Sequence, residues 1–103
     1  MAYESLLSAF LDMMRAERGA SAHTIDSYQR DLRDAAAYFS KHGTDLLSAN
    51  RSDLEDFLAE LFRSGLAAST VARKRSALKQ WFGFLQSEQH RSDNPAEGLK
   101  SPK

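Results

Sequence analysis

Apolar residues recur at intervals of three and four along almost the whole chain, and this spacing constrains the fold more than any other feature. An α-helix turns once in 3.6 residues, so this spacing places the apolar side chains on one face of each helix. Strand-type alternation is not found, and Ile25 and Val71 are the only β-branched aliphatic residues. We therefore expect an all-α bundle of four helices, near residues 4–18, 22–41, 53–64 and 69–88.

Serines stand where three of these helices begin. Ser21 and Ser69 are typical N-cap residues for the second and fourth helices. Ser52 with Glu55 forms the S-x-x-E capping pattern ahead of the third helix. The sequence thus predicts a side-chain cap at each of these starts.

The remaining segments predict one domain followed by a linker. Leu46 and Leu47 are expected to fix the loop before the third helix to the core. Asn94-Pro95 predicts a short turn over residues 95–99, because Asn caps helical turns and Pro favours their first position. The last residues are polar and contain Pro, so we expect a domain at 1–99 and the start of a linker at 100–103.

Composition excludes several kinds of site. The chain has no Cys, which rules out disulfides and cysteine-containing zinc sites. Its three histidines, His23, His42 and His90, lack metal-ligand spacing, and no glycine-rich phosphate loop occurs. We expect no metal, cofactor, catalytic residue or small-molecule substrate. No apolar run is long enough to span a bilayer and no secretion signal is found, so we expect no membrane partner and a cytoplasmic location.

Charge becomes informative when it is counted by segment. Lys and Arg number 14, as do Asp and Glu, so the net charge is zero. Residues 44–62 nevertheless carry five acids against one Arg, whereas residues 63–80 carry five bases and no acid. The sequence therefore predicts an acidic third helix beside a basic fourth helix.

The fourth helix has a polar face suited to a major groove. Ser69, Arg73, Ser76 and Gln80 follow one stripe, and Lys79 lies at its margin. Small residues permit close approach, bases meet phosphates, and Arg or Gln can contact base edges. The second helix offers a second candidate surface with Ser21, Thr24, Ser27, Gln29 and Arg30. An ordinary solvated helix face explains the charge counts equally well. Arg75 falls nearer the apolar stripe, where its stem can lie along the core.

Three segments resemble one protein family. Residues 21–32 resemble the S-x-x-T-x-x-x-Y-x-x-D-L segment of the N-terminal core-binding domain of tyrosine recombinases, including XerC/XerD-type and phage-integrase-like members. Residues 66–85 resemble the family's S-x-x-x-R-x-x-S-A-L-R-x-F-x-x-F-L helix. Residues 94–103 resemble its N-P-x-x-x-L-x-x-P-K exit into the catalytic domain.

The resemblance implies a fold and a function. In that family this domain is a four-helix, SAM-like bundle that forms half of a C-shaped clamp on DNA. Strand cleavage belongs to the C-terminal catalytic domain, so the chain is expected not to be an enzyme by itself, and none of its tyrosines is the nucleophile. The implied partners are double-stranded DNA and other recombinase protomers in a synaptic complex, in support of DNA integration or recombination. The alternative is a protein-interaction module that assembles protomers through the first and third helices without strong DNA binding.

The family pattern also implies site residues. Thr24, Tyr28 and Arg30 match its second helix, and Ser69, Arg73, Ser76 and Lys79 match its fourth. Lys79 stands where Arg is more usual, which keeps the charge but loses bidentate geometry, so phosphate contact is its expected role. Tyr28 also falls on the apolar stripe, and core packing is its favoured assignment. With the neighbouring polar residues, the predicted DNA-binding set is Thr24, Ser27, Tyr28, Arg30, Ser69, Thr70, Arg73, Lys74, Ser76, Lys79 and Gln80.

Overall fold

A computed structural model describes residues 2–100 and shows a helical bundle. Its helices are α1 (Ala2–Arg18), α2 (Ala22–Lys41), α3 (Arg51–Arg63) and α4 (Ala68–Ser87). No strand occurs within residues 2–100, so the all-α prediction is confirmed. Each helix begins and ends within two residues of its predicted bounds. The starts of α3 and α4 differ from the prediction in their cap residues, as described below. Residues 101–103 of the predicted linker lie outside the described part of the chain.

Trp81 of α4 stands at the centre of the core. Its ring is fully buried and meets the ring of Phe10 from α1 nearly at a right angle, with centroids 5.6 Å apart. The Trp81 indole Nε1–H donates a hydrogen bond of 3.0 Å to the carbonyl oxygen of Leu46. Leu46 is itself fully buried and Leu47 is partly buried, so the loop between α2 and α3 is fixed to the core as predicted.

The cap of α3 differs from the prediction. Helix α3 begins two residues earlier, and Asn50 rather than Ser52 is its N-cap. Asn50 Oδ1 accepts a hydrogen bond from the backbone N–H of Asp53, and Asp53 Oδ2 accepts one from the backbone N–H of Asn50. These two hydrogen bonds form a reciprocal capping box at Asn50, so the helix starts at Arg51 and Ser52 falls inside its first turn. The predicted Ser52–Glu55 box is therefore wrong, although its residue spacing recurs two positions earlier.

The start of α4 also departs from the prediction. Its N-cap is Ala67, which offers no side-chain hydrogen bond, and Ser69 lies exposed in the first turn. The prediction of Ser69 as the cap is therefore wrong. By contrast, Ser21 caps α2 as predicted, accepting a hydrogen bond of 3.1 Å from the backbone N–H of Thr24.

Two arginines fasten the C-terminal segment to the bundle. Arg91 Nη1 donates to the carbonyl oxygens of Leu47 and Ala49 at 2.9 and 2.7 Å, and its guanidinium lies 5.3 Å from the ring centroid of Phe82. Arg51 donates to the carbonyl oxygens of residues 97 and 98. The predicted turn is present, with its first free N–H capped by the Asn94 side chain.

The revised cap gives a direct test. Replacing Asn50 by Ala removes the side-chain acceptor for the backbone N–H of Asp53, which is one of the two hydrogen bonds of the capping box. The free energy of unfolding should therefore fall by about 1 kcal/mol. Ser52→Ala is the matched control and should change it by less than about 0.5 kcal/mol. Urea unfolding followed by circular dichroism measures both. A larger loss for Ser52→Ala than for Asn50→Ala would contradict the assigned cap.

Candidate nucleic-acid interface

A shallow depression lies where the first turns of α2 approach α4. It has a volume of about 240 Å³ and is lined by His23, Thr24, Ser27, Tyr28 and Arg73. Four of these residues belong to the predicted set, and the fold brings them together from two helices. His23 is not in the predicted DNA-binding set. It lies four residues before Ser27, on the same side of α2, and this spacing could have predicted that the two side chains line one surface.

Arg73 is held at this depression by a buried carboxylate. Its Nε and Nη2 donate to the two carboxylate oxygens of Asp31 at 2.8 and 2.9 Å, a bidentate pair. The Arg73 side chain is 43% exposed and that of Asp31 only 1%. The second terminal nitrogen, Nη1, makes no hydrogen bond within residues 2–100. Arg73 therefore both ties α4 to α2 and presents part of its guanidinium at the surface.

Lys74 completes the network from the interior. Its Nζ lies 2.9 Å from a carboxylate oxygen of Asp31 and 2.9 Å from one of Asp34, and its side chain is only 8% exposed. An ammonium group in this position joins α4 to α2 and cannot reach a polyanion without breaking both ion pairs. We therefore remove Lys74 from the predicted DNA-binding set.

These ion pairs change what the segmental charge count means. Within the network two cations face two carboxylates, and Arg63 pairs with Glu60 of α3. Among residues 2–100, the α4 bases without a carboxylate within 4.0 Å are Arg75 and Lys79. Much of the positive charge in residues 63–80 is therefore compensated by carboxylates of α2 and α3.

The rest of the α4 face is polar and carries no acidic residue of α4 itself, although Glu17 and Glu88 line a depression of about 360 Å³ with Lys79 and Gln80. Ser69 and Lys79 are exposed, and Thr70, Ser76 and Gln80 are partly exposed. Gln80 Oε1 accepts a hydrogen bond of 2.6 Å from Nη1 of Arg18, which brings a cation of α1 to this face. Sequence reasoning missed Arg18 because it lies 62 residues away from Gln80.

Two predicted α2 residues have different surroundings. Tyr28 is partly buried, packs against the core and also lines the depression, so both of its assignments are compatible. Arg30 is exposed and lines a separate depression of about 340 Å³ with Asp26, Gln29 and Arg33. The fold therefore does not bring Arg30 together with Thr24, Ser27 and Arg73.

The pKa of Asp31 reflects the balance within the network. Burial by itself raises this pKa, but the hydrogen bonds from Arg73 and Lys74, together with their positive charges, outweigh burial. The net effect holds the pKa of Asp31 below its ordinary value of 3.8. The carboxylate is therefore ionised at neutral pH, as its two cationic partners require.

Other kinds of site find no support in the described part of the chain. Within residues 2–100 no three His, Cys, Asp or Glu side chains group in a way that could hold a metal ion. No helix in this range is long and apolar enough to cross a membrane.

The family follows from comparison with known proteins. The phage integrase N-terminal SAM-like domain model matches residues 7–89, and the chain belongs to this family. The chain is 46% identical over 97 residues to the tyrosine recombinase XerD of Rhizobium meliloti, and 38% identical over 100 residues to that of Caulobacter vibrioides. A solved structure of an integrase from mycobacterium phage Brujita matches 96% of this chain with a TM-score of 0.79 at 27% identity.

These matches cover only part of each relative. They include 94% and 97% of this chain but 31% and 33% of the two XerD proteins, and 32% of the phage integrase. The chain thus spans about a third of the length of the relatives it matches. The chain therefore corresponds to the N-terminal SAM-like domain of the phage integrase family, as the sequence resemblance predicted.

The Asp31 network should make stability depend on acid pH. The folded-state pKa of Asp31 lies below the unfolded one, so the network's contribution is complete well above pH 3.8 and is lost as the pH falls through the folded-state value. Asp31→Asn should lower unfolding free energy at pH 7 by about 3 kcal/mol or more, because Lys74 loses a buried partner. It should also flatten the loss of stability in acid.

Asp34→Asn is the matched control. The Asp34 side chain is 56% exposed, so its removal should cost about 1 kcal/mol or less. Chemical unfolding of the three proteins between neutral and acid pH measures both effects. Wild-type stability of Asp31→Asn at pH 7, or an unchanged acid dependence, would disprove the assigned role.

Proposed function

We propose that this domain binds duplex DNA through α2 and α4 as part of a tyrosine recombinase, in support of DNA integration or recombination. The observation that carries the proposal is the exposed face of α4, where Ser69, Ser76 and Lys79 stand with no acidic residue between them. The family membership supports it. Because the proposed partner is DNA, we also propose that the protein acts in the cytoplasm.

The shape of this surface fits a major groove. A groove about 12 Å wide admits one helix, and small side chains such as Ser69, Ala72 and Ser76 let the α4 backbone approach closely. Lys79 then contacts a phosphate as a point charge. The hydroxyls of Thr24 and Ser27, which line one depression with Arg73, would donate to phosphate oxygens beside the Nη1 group of Arg73.

Charge compensation predicts modest affinity. With Lys74 buried and Arg73 paired to Asp31, few cations remain to displace counterions from DNA. We expect a non-specific Kd of about 10⁻⁴ to 10⁻⁶ M at physiological salt, with binding that weakens as salt rises.

Lys79→Gln tests the proposed surface. The variant should bind a short duplex about five- to tenfold more weakly, and the slope of log K against log salt should shrink by about 0.9. Lys41→Gln is the charge-matched control, because Lys41 is exposed at the opposite end of α2 from the depression. Fluorescence anisotropy at several salt concentrations measures both. Equal losses for the two variants would contradict the surface, and no DNA binding by the wild type would contradict the function.

Arg73 is a poorer probe of DNA contact, although it belongs to the predicted set. Its removal also deprives Asp31 of a bidentate partner, so weaker binding by an Arg73→Ala variant would mix lost contact with lost packing of α4 on α2. Lys79 makes no ion pair within residues 2–100, which keeps the two effects apart.

A second candidate function is protomer assembly through α3. Phe62 is 45% exposed, which is unusual for a large apolar side chain in this domain, and it lies about two turns after the exposed carboxylate of Glu55 on α3. Helix α3 carries four acids against two arginines, so an apolar anchor on it suits a basic partner surface. We propose that other recombinase protomers in a synaptic complex supply that surface.

Phe62→Ser tests this candidate in the absence of DNA. If α3 carries the contact, wild-type protein should associate as its concentration rises, and the variant should stay monomeric over the same range. Ala37→Ser, an exposed change on α2, is the control and should associate like the wild type. Sedimentation velocity measures all three. A wild type that is monomeric throughout would contradict self-association through α3.

A further inference from the structure

Arg75 carries a buried hydrogen-bond donor without a partner. The Nε atom of Arg75 is inaccessible to solvent and makes no hydrogen bond within the described residues, while the side chain as a whole is partly exposed. A buried N–H without an acceptor is unfavourable, and such groups are rare in folded proteins. The terminal nitrogens of Arg75 make no hydrogen bond within the described residues either, and they are the part of the guanidinium that a ligand can reach.

Arg75 also has no ion-pair partner within the described residues. Within residues 2–100 no carboxylate lies within 4.0 Å of Arg75 or Lys79. The two residues are four apart on α4, so their side chains are neighbours and like charges repel. Arg18, Arg30, Lys41 and Lys100 also lack a carboxylate within this distance, but no two of these four lie one turn apart on a helix. The isolated domain therefore keeps two adjacent cations that it does not neutralise.

Arg75 and Arg73 flank the α4 face from opposite sides. Residues two apart on a helix are rotated by about 200°, so the two side chains leave α4 in nearly opposite directions. Arg73 is held on the α2 side by Asp31. Arg75 therefore stands at the other edge, with Ala72 and Ser76 between the two.

We propose that Arg75 and Lys79 together bind phosphate groups of the DNA backbone, on the strand that borders the groove edge remote from α2. A phosphate oxygen would supply the missing charge for both cations and would accept from the terminal nitrogens of the planar Arg75 guanidinium, since its buried Nε is out of reach of a ligand. This inference rests on the proposed function and adds Arg75 to the interface. It divides the bases of α4 by role, because Lys74 holds the bundle together and the Arg75–Lys79 pair contacts DNA.

Arg75→Met separates a contact with DNA from a structural role. Met retains an apolar stem and removes both the orphaned donor and the repulsion with Lys79, so the thermal midpoint should stay the same or rise. Duplex affinity should fall roughly tenfold, and the slope of log K against log salt should shrink by about 0.9. Arg75→Lys keeps the charge and should recover most of the slope. Lys41→Gln again controls for the loss of one positive charge.

The outcomes distinguish this inference from the function on which it rests. Wild-type affinity and slope in Arg75→Met, together with weaker binding by Lys79→Gln, would overturn the phosphate pair and leave the α4 surface intact. A lower thermal midpoint in Arg75→Met with unchanged DNA binding would show that Arg75 is structural and would also overturn it. Absence of duplex binding by the wild type would reject the proposed function itself.

Discussion

The pairing of Asp31 with Arg73 and Lys74 is the constraint on which the candidate interface depends. A carboxylate this deeply buried is stable only with close cationic partners, and both partners come from adjacent positions of α4. The network therefore fixes the position of α4 relative to α2. Any ligand that contacts both helices meets a surface whose two halves are held together by buried charge.

The network also separates stability from binding. Lys74 contributes to the fold, Lys79 and Arg75 have no partners in the described part of the chain, and Arg73 takes part in both. Salt should therefore act differently on the two properties. Screening weakens contacts between exposed cations and a polyanion strongly, whereas ion pairs excluded from solvent are screened much less.

The sequence predicted helices better than caps or charges. Apolar spacing located all four helices because burial on one face governs where a helix can lie. Asn50 and Ser52 are cap residues of similar strength, each followed three residues later by an acid, so the residue spacing alone did not distinguish Asn50–Asp53 from Ser52–Glu55. The partner of Arg73 is 42 residues away, so a count of charges along the chain could not reveal that much of the positive segment is neutralised. The contact of Arg18 with Gln80 could not be predicted for the same reason, because the two residues lie 62 positions apart.

Hydrogen bonds from arginine side chains to backbone carbonyl oxygens join the C-terminal segment to the rest of the domain. Arg91 and Arg51 donate to the carbonyl oxygens of residues 47, 49, 97 and 98, and every residue type carries such an oxygen. The hydrogen bonds themselves therefore do not depend on the side chains at those positions, although the positive φ of Gly98 and the burial of Ala49 restrict both sites. Changes of chain length between Arg91 and residue 98 would be far more disruptive, because they displace the carbonyl oxygens of residues 97 and 98 from Arg51.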